Sequence, residues 1–213
     1  MMFPSLKATR PAAATAALIL AMALAAGCGS IPETHYYTIG RIIPRAPTSS
    51  SKLDITVGVA RFEADGIYER DNLLYRRGSY EIAVDYYRRW GMPPQTMLAE
   101  ATIEYVRAAG LFDSVLRMPT MSACDAILTG RILRFEETGS EVQVALEFTL
   151  QSTHGNKILW QGEVSSSAPV TVAASPEARI SATEARISAT EACLADCLGS
   201  LISSLSSADL ALY

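Results

Sequence analysis

The most regular pattern in the chain is an alternation of apolar and polar residues over 141–151. A period of two gives a β-strand one apolar and one polar face, which is typical of an antiparallel strand with one wet face. Strand-like segments lie on both sides, at 125–136 and 157–164, and short turns rich in Gly, Ser and Asn separate them. The pattern therefore predicts a three-stranded meander. The side chains predicted to face inward on its third strand are Ile158, Trp160 and Val164.

Shorter apolar and β-branched runs predict further strands in the first half of the chain. One lies at 55–62, and the runs at 73–77 and 80–90 predict either two further strands or a hairpin around Gly78-Ser79. A strand-like run at 36–39 stands in a segment otherwise rich in Pro and Ser, which is typical of a tether or loop.

A period near 3.6 predicts two helices. The first begins at Pro93 or Pro94 and ends at Ala109, because proline fits the first helical turn and Gly110 is a stop signal. The second begins at Ser175-Pro176-Glu177, which offers a hydroxyl cap, a first-turn proline and an early carboxylate. Together these elements predict a single α+β domain, with a largely antiparallel β-sheet and two helices packed on one face.

The second helix contains an exact repeat: the residues of 177–183 recur identically at 184–190. Seven residues are close to two helical turns, so one copy lengthens a helix by about 10 Å and nearly preserves its facing. One interpretation is a coiled-coil seam through Ile180, Ile187, Leu194 and Leu201. The preferred interpretation is an in-frame duplication that extends a docked helix, because a second apolar heptad position appears only later. The part that packs on the sheet is then expected at 192–210.

An apolar stretch near the N-terminus ends in Leu24-Ala25-Ala26-Gly27-Cys28, which resembles the bacterial lipobox. A basic leader, an apolar core and small residues before the cut indicate an export signal. The lipobox predicts a signal peptide over 1–27 and a lipidated first residue at Cys28. Ala25 departs from the leucine usual at its position. An ordinary signal peptide and a membrane span are the alternatives, although a span needs about 20 apolar residues.

Acylation would hold the mature chain on a bilayer, because each buried methylene contributes about 0.8 kcal/mol. The sequence predicts a lipid-anchored tether with one short strand over 28–52 and the α+β domain over 53–213. Gly29, directly after the cysteine, is compatible with sorting to the outer membrane of a Gram-negative host. The domain is therefore expected on the periplasmic side of that membrane.

The charge balance excludes one class of partner. The formal net charge is −4, and removal of Lys7 and Arg10 with the leader makes the mature chain two charges more negative. Nucleic-acid binding usually needs a basic face, so no nucleic acid is expected. An arginine-rich stretch at 61–89 has two interpretations: a site for an anionic head group, or charged strand edges. The second is preferred, because acidic residues balance the arginines. The aromatic residues of that stretch, which either cover the core or form an interface, are Tyr68, Tyr75, Tyr80, Tyr86, Tyr87 and Trp90.

Three cysteines follow Cys28 in the sequence. Cys193 and Cys197 lie one helical turn apart, which is a poor geometry for bridging each other. Since the predicted compartment is oxidising, a disulfide between Cys124 and either of them remains open. No histidine accompanies the Cys-x₃-Cys spacing, so no metal site is expected.

The residues of known catalytic motifs are missing from this sequence. His35 and His154 stand outside any hydrolase elbow, metalloprotease pair or zinc-spaced set, and no glycine-rich phosphate loop occurs. The adjacent Glu136 and Glu137, at a strand end, are expected to form a solvated turn. We therefore expect neither an enzyme nor a cofactor.

Several short motifs, in order along the chain, resemble a known family. They are the lipobox, Tyr36-Tyr37-Thr38-Ile39, Asn72-Leu73-Leu74-Tyr75-Arg76-Arg77, Tyr87-Arg88-Arg89-Trp90, and Ala126-Ile127-Leu128 running to Arg134-Phe135-Glu136. Together they are similar to the ABC-type transport auxiliary lipoprotein family, the PqiC-like outer-membrane lipoproteins that accompany MCE-type transport systems. The duplicated heptad departs from the family pattern.

The resemblance implies a docking role. Members of this family partner an MCE-domain protein, which an ABC permease and its ATPase supply with cargo. The system moves lipids or other hydrophobic compounds between the inner and outer membranes. By position, Tyr75, Tyr87 and Trp90 match recurring aromatics of the family and are carried over as partner-contact residues. The rival interpretations are a structural or secretion-assembly envelope lipoprotein and a free periplasmic lipid carrier. Whether the protein is a homo-oligomer, and whether it contacts lipid itself, is left open.

Overall fold

The sheet is organised around one long strand, β7 (Ala126–Thr138). Along one edge β7 pairs antiparallel with β8 (Glu141–Ser152), which in turn pairs antiparallel with β9 (Ile158–Pro169). The meander predicted from the alternating pattern is confirmed. The structure is a computed structural model that describes residues 32–44, 52–170, 178–208 and 210, with the backbone alone for 178–181.

The other edge of β7 is shared by three short parallel partners. In order along β7 they are β2 (Leu53–Val59), β3 (Glu63–Ala64) and β4 (Asn72–Arg77). Strand β6 (Phe112–Arg117) pairs parallel with the far side of β2. The sheet is therefore mixed, with its longest pairings antiparallel, and the class is single-domain α+β as expected.

Strands β4 and β5 (Glu81–Trp90) form the predicted antiparallel hairpin, which turns at Gly78 with a positive φ of 71°. Strand β1 (His35–Tyr37) pairs parallel with the end of β5, with His35 opposite Arg88 and Tyr37 opposite Trp90. The short strand expected in the tether is thus part of the main sheet. The sequence pattern does not predict β3, β6 or the 3₁₀ turn at Gly66–Glu69.

Helix α1 (Pro94–Ala109) has the boundaries that the sequence predicts. Pro93 takes the N-cap position. Gly110 ends the helix with left-handed backbone angles, and its N–H donates a hydrogen bond to the carbonyl of Arg107. Helix α2 (Ala178–Ser207) packs on β8 and β9. Its predicted packing half carries an unexposed stripe: Cys193, Leu194, Cys197, Leu198, Leu201, Ile202 and Leu205. Since Leu194 and Leu201 lie in the domain's own core, no coiled-coil seam runs through them.

The core is one hydrophobic cluster between the sheet and the two helices. Alternate residues of β8, from Val142 to Leu150, are buried as expected. The inward placement of Ile158 is wrong, because its side chain is 55% exposed. The ladder is irregular between the pairs Leu150–Trp160 and Gln151–Ile158, which breaks the alternation of β9. Paired residues of an antiparallel ladder point to the same face, so Ile158 shares the polar face of Gln151. Trp160 is half-buried and covers Gly162.

The disulfide that the sequence left open is not formed. Cys124, Cys193 and Cys197, all within the described ranges, are free thiols. Cys124 precedes the start of β7, whereas Cys193 contacts Val142, which pairs with the other end of that strand. At about 3.3 Å per residue, the eleven residue steps from Ala126 to Glu137 span about 36 Å, which is too far for a bridge.

Several predictions fall outside the described residues. They concern the signal peptide over 1–27, the lipidated Cys28 and the helix start at Ser175-Pro176-Glu177. Within the described ranges, no helix has both the length and the apolar composition needed to cross a membrane.

Candidate functional site

A pocket of about 300 Å³ lies where the β4–β5 hairpin, the end of β7 and the second copy of the repeated heptad in α2 meet. Strand pairing brings these distant segments together, since Tyr75 and Arg76 of β4 stand opposite Glu137 and Thr138 of β7. The residues that line the pocket are Leu73, Leu74, Tyr75, Arg76, Asp85, Arg88, Trp90, Phe135, Glu136, Glu137, Gly139, Val142, Arg186, Ile187 and Thr190.

One wall of the pocket carries a buried carboxylate. The Glu136 side chain is unexposed and accepts hydrogen bonds from Arg76 Nε at 2.6 Å and Nη2 at 3.1 Å. Tyr68 Oη donates to the same carboxylate at 3.0 Å, and Arg134 Nε lies 3.7 Å away. A buried charge is tolerated only when it is paired and hydrogen-bonded, as here. The expected solvated turn at Glu136 is therefore wrong, because Arg76, 60 residues away in sequence, covers it.

The contacts with Glu136 shift the pKa values of two neighbouring side chains, Arg76 and Tyr68. The hydrogen bond with Glu136 is the main cause that raises the pKa of Arg76, which keeps the guanidinium charged. Burial, followed by the repulsion of the Glu136 carboxylate, raises the pKa of Tyr68. The phenol thus stays protonated and continues to donate to Glu136.

The inner part of the pocket is apolar. Trp90 is 5% exposed and stacks at a tilt on Phe135, with 5.2 Å between ring centroids. Val142 and Leu74 are buried beside them, and Ile187 closes the helix side. Apolar walls with a few polar groups at the mouth are typical of small-molecule sites.

The mouth of the pocket is charged. Arg88 Nη1 donates to Asp85 Oδ2 at 3.0 Å, and Arg186 Nε lies 2.5 Å from Glu137 Oε2. The Arg186 Nε–H is buried, but it is not aligned as a hydrogen bond to that carboxylate. Among the described residues, the other N–H groups of Arg88 and Arg186 have no protein acceptor. These guanidinium groups are therefore available to a ligand.

A wide bulge in β5 lies next to the pocket. Between the pairs Asn72–Arg89 and Leu74–Val84, β4 has one residue and β5 has four, 85–88. Asp85 Oδ1 accepts hydrogen bonds from the backbone N–H groups of Tyr87 at 3.0 Å and Arg88 at 3.1 Å. Asn72 Nδ2 donates to the Asp85 carbonyl at 2.8 Å. The bulge is thus fixed by two side chains, and it breaks the alternation of the strand.

The bulge turns two aromatic side chains outward. Tyr86 is 70% exposed and Tyr87 is 43% exposed. Large aromatic side chains usually bury most of their surface. Two exposed ones side by side at a sheet margin are typical of a contact surface. We call these two residues the tyrosine bulge.

The three predicted partner-contact residues have different environments. Trp90 is buried in the pocket, and Tyr75 lines it while its hydroxyl accepts a hydrogen bond from Arg77 Nη2 at 3.3 Å. Tyr87 lies outside, on the tyrosine bulge. The sequence pattern does not predict a role for Arg76, Glu136 or Arg186, because their partners come from segments that are distant in sequence. The break in alternation at Asp85 is the one local signal of the bulge.

The buried cysteines offer no reactive group. Burial raises the pKa of the Cys193 thiol, and it raises the pKa of Cys197 to about 12. A thiol that stays protonated is a poor nucleophile and metal ligand. Among the residues that the structure describes, no three His, Cys, Asp or Glu side chains are grouped as metal ligands.

Comparison with known proteins assigns the chain to a family. The family model of the ABC-type transport auxiliary lipoprotein component matches residues 37–194, so the chain belongs to that family. The protein is thus a lipoprotein component that assists an ABC-type transporter, and its class indicates a membrane-associated location in the cell envelope. No curated protein matches the chain.

Solved structures share the fold. Protein XCC0632 from Xanthomonas campestris is 17% identical, with a TM-score of 0.69 over 81% of this chain and 94% of that chain. A second crystal structure, of an uncharacterised protein, is 9% identical, with a TM-score of 0.56 over 82% of this chain and 97% of that one. At these identities the likeness concerns the fold alone.

Proposed function

We propose that this protein is the outer-membrane auxiliary lipoprotein of an MCE-type ABC system that moves lipids or other hydrophobic compounds between the two membranes. Acylated Cys28 holds it on the periplasmic side, where its domain docks the MCE-domain protein. ATP hydrolysis belongs to the partner ATPase, and this chain acts by binding rather than by catalysis. Family membership over 37–194 is the observation that carries the proposal.

The tyrosine bulge is the surface that we assign to docking. Tyrosine combines a large contact area with a polar tip, and such residues dominate the energy of many interfaces. Asp85 and Asn72 fix the backbone of the bulge, so little ordering entropy is lost on binding. Tyr87, which sequence resemblance had singled out, is one of its two members.

The strand next to the bulge lies close in sequence to the predicted anchor. Strand β1 begins at His35, seven residues after Cys28, and it pairs with the end of β5 beside the bulge. Tyr36 on β1 is 65% exposed and stands opposite Arg89 of β5. Tyr36 thus adds a third exposed aromatic residue to this margin of the sheet.

Site-specific photocrosslinking in native cells tests the docking surface. A benzoylphenylalanine in place of Tyr87 is expected to capture an MCE-domain protein. The matched control carries the same probe at Ile158, which is 55% exposed but lies on β9 at another part of the sheet. Capture of a secretion pore at Tyr87, or equal capture of the MCE protein at both positions, would contradict the proposal.

The anchor has its own test. Replacement of Cys28 by Ser removes the acylation site, and we expect the protein to leave the outer-membrane fraction and transport to stop. The folded domain is expected to stay intact, because the anchor precedes the described domain. Normal transport by the Cys28→Ser protein would refute the anchoring role.

A further inference from the structure

We propose that the pocket beside β7 is a binding site for a single acyl chain that bears an anionic head group. The inference rests on the proposed function for its biological meaning, since the ligand would be a compound that the system moves. The site itself is argued from the geometry of the pocket. The acyl chain lies against the apolar wall, and the head group lies at the guanidinium groups of the mouth.

The apolar wall is suited to a hydrocarbon chain. Trp90, Phe135 and Val142 are all buried in the protein core and present carbon atoms to the cavity. A volume of about 300 Å³ lies at the lower end of the range of small-molecule sites, roughly 300–1,000 Å³. The pocket therefore has room for one chain rather than for the two chains of a bilayer phospholipid.

The mouth is suited to an anion. Three carboxylates face three guanidinium groups there, but Glu136 is saturated by Arg76 and Tyr68 and has Arg134 as a second cation. The guanidinium groups of Arg88 and Arg186 keep N–H groups without a protein acceptor among the described residues. Guanidinium groups bind carboxylates and phosphates through paired N–H donors, which gives charge-assisted hydrogen bonds.

The helix side of the site comes from the repeated heptad. Arg186 and Ile187 belong to the second copy, and both line the pocket. The first copy carries the same residues at Arg179 and Ile180, seven positions earlier and about 10 Å further along the helix axis. The chain thus provides matched control positions in an identical local sequence.

The two tryptophans provide the readout. Bromine on a fatty acid quenches tryptophan fluorescence on contact, and Trp90 lies in the apolar wall. Trp160 pairs with Leu150, whereas Phe135 beside Trp90 pairs with Val144, so the two indoles are separated by about 20 Å along the sheet. Trp160→Phe leaves Trp90 as the sole reporter, and Trp90→Phe leaves Trp160.

The experiment uses the acylated full chain in vesicles of dioleoylphosphatidylcholine, titrated with ω-bromoundecanoate. We expect saturable quenching in Trp160→Phe and none beyond the vesicle background in Trp90→Phe. On the Trp160→Phe background, Ile187→Phe is expected to weaken binding about tenfold by filling the pocket, whereas Ile180→Phe changes it less than twofold. Equal quenching of both tryptophans, or equal effects of the two substitutions, would overturn the proposal.

The head group is tested separately. Arg186→Gln is expected to weaken bromoundecanoate about fivefold and to leave ω-bromoundecanol unchanged, with Arg179→Gln as the control. Competition by dodecanoate indicates a fatty-acid carboxylate, and competition by dodecyl phosphate indicates a phosphate head group. Equal competition by dodecanol would refute an anionic site. Capture of an MCE protein at Tyr87 does not depend on these results, so failure of the pocket leaves the docking proposal standing.

Discussion

The two halves of β7 are built on different principles. Over 126–132 every second residue of the strand is buried, and the buried side chains are apolar. Gly130 has no Cβ, and one there would lie 2.5 Å from the ring of Phe62, which packs edge-on against Phe148 with 5.5 Å between centroids. Over 134–138 the same strand carries a buried carboxylate, ion pairs and a cavity. We call 126–132 the filled half of β7, because it lies in closely packed core, and 134–138 the open half, because it borders the cavity.

The difference indicates where stability and binding are located. Close packing contributes most of the favourable free energy of folding, and a filled interior has no room for a ligand. Buried ion pairs are weak stabilisers, because desolvation of the charges offsets their attraction. The open half of β7 is therefore expected to contribute less to the free energy of unfolding than the filled half, which is consistent with a binding role.

The same truncation in each half tests this contrast. Phe148 of β8 pairs with Gly130 in the filled half of β7. Phe148→Ala is expected to lower the free energy of unfolding by about 3–5 kcal/mol, because the residue is unexposed and its loss leaves a new cavity. Phe135→Ala beside the pocket is expected to cost about 1–2 kcal/mol less, since one side of its ring already faces open space. Urea unfolding measures both. Equal losses would show that the pocket wall is packed as tightly as the core.

Removal of the buried carboxylate tests the open half alone. Glu136→Ala is expected to cost about 2–3 kcal/mol, because it leaves Arg76 and Tyr68 without their acceptor. The double variant Arg76→Met with Glu136→Leu is expected to regain part of that loss, since two apolar residues need no desolvation, whereas Tyr68 Oη still lacks its acceptor. A double-mutant cycle with the single variants Arg76→Met and Glu136→Leu, each measured by urea unfolding, tests this. A double variant as unstable as the sum of the two single variants would contradict this account.

Local pattern predicted the elements that depend on local chemistry. The alternation over 141–151 identified β8, and proline and glycine at the two ends of α1 identified its boundaries. Strand β3 has only two residues and no local pattern of its own. The parallel pairings of β7 with β2, β3 and β4 depend on contacts between distant segments, which a single sequence does not reveal.

The site could be predicted only in part for the same reason. Trp90 and Tyr75 were selected by resemblance, and both line the pocket, yet Trp90 is buried in it. The burial of Glu136 depends on Arg76, which β4 brings beside the end of β7. In the sequence alone, Glu136 stands next to Glu137, and two adjacent carboxylates indicate a solvated turn. Sequence therefore showed the aromatic component of the site and missed its charged component.

The thiols of α2 provide a pH test of the packed interior. Burial is the main cause that raises the pKa of Cys197 from 9.0 to about 12, so the native state holds this proton more tightly than the unfolded chain. The resulting stability is complete below pH 9 and is lost as pH rises toward 12. We expect the free energy of unfolding of Cys197→Ala to fall less steeply with pH in this window, by up to about 1 kcal/mol per pH unit. If the free energy of unfolding falls equally steeply with pH in the parent and in Cys197→Ala, water reaches the thiol.

The two copies of the heptad extend the comparison of filled and open regions to α2. The second copy is docked: Arg186 contacts Glu137, Ile187 lines the pocket, and Glu191, just after it, accepts a hydrogen bond from the Gly40 N–H. Deletion of either copy produces one and the same sequence. Because the buried stripe from Cys193 onward sets the position of the helix, the remaining copy is expected to take the docked place.

The deletion variant should therefore change little. We expect its free energy of unfolding to lie within about 1 kcal/mol of the parent, because the docked contacts are rebuilt by identical residues. Quenching of Trp90 by bromoundecanoate should be retained for the same reason. A loss of more than 2 kcal/mol, or a loss of quenching, would mean that the first copy has a role in the fold or in the pocket. Retention of both would identify the duplication as a neutral extension of a helix whose register is fixed by its other end.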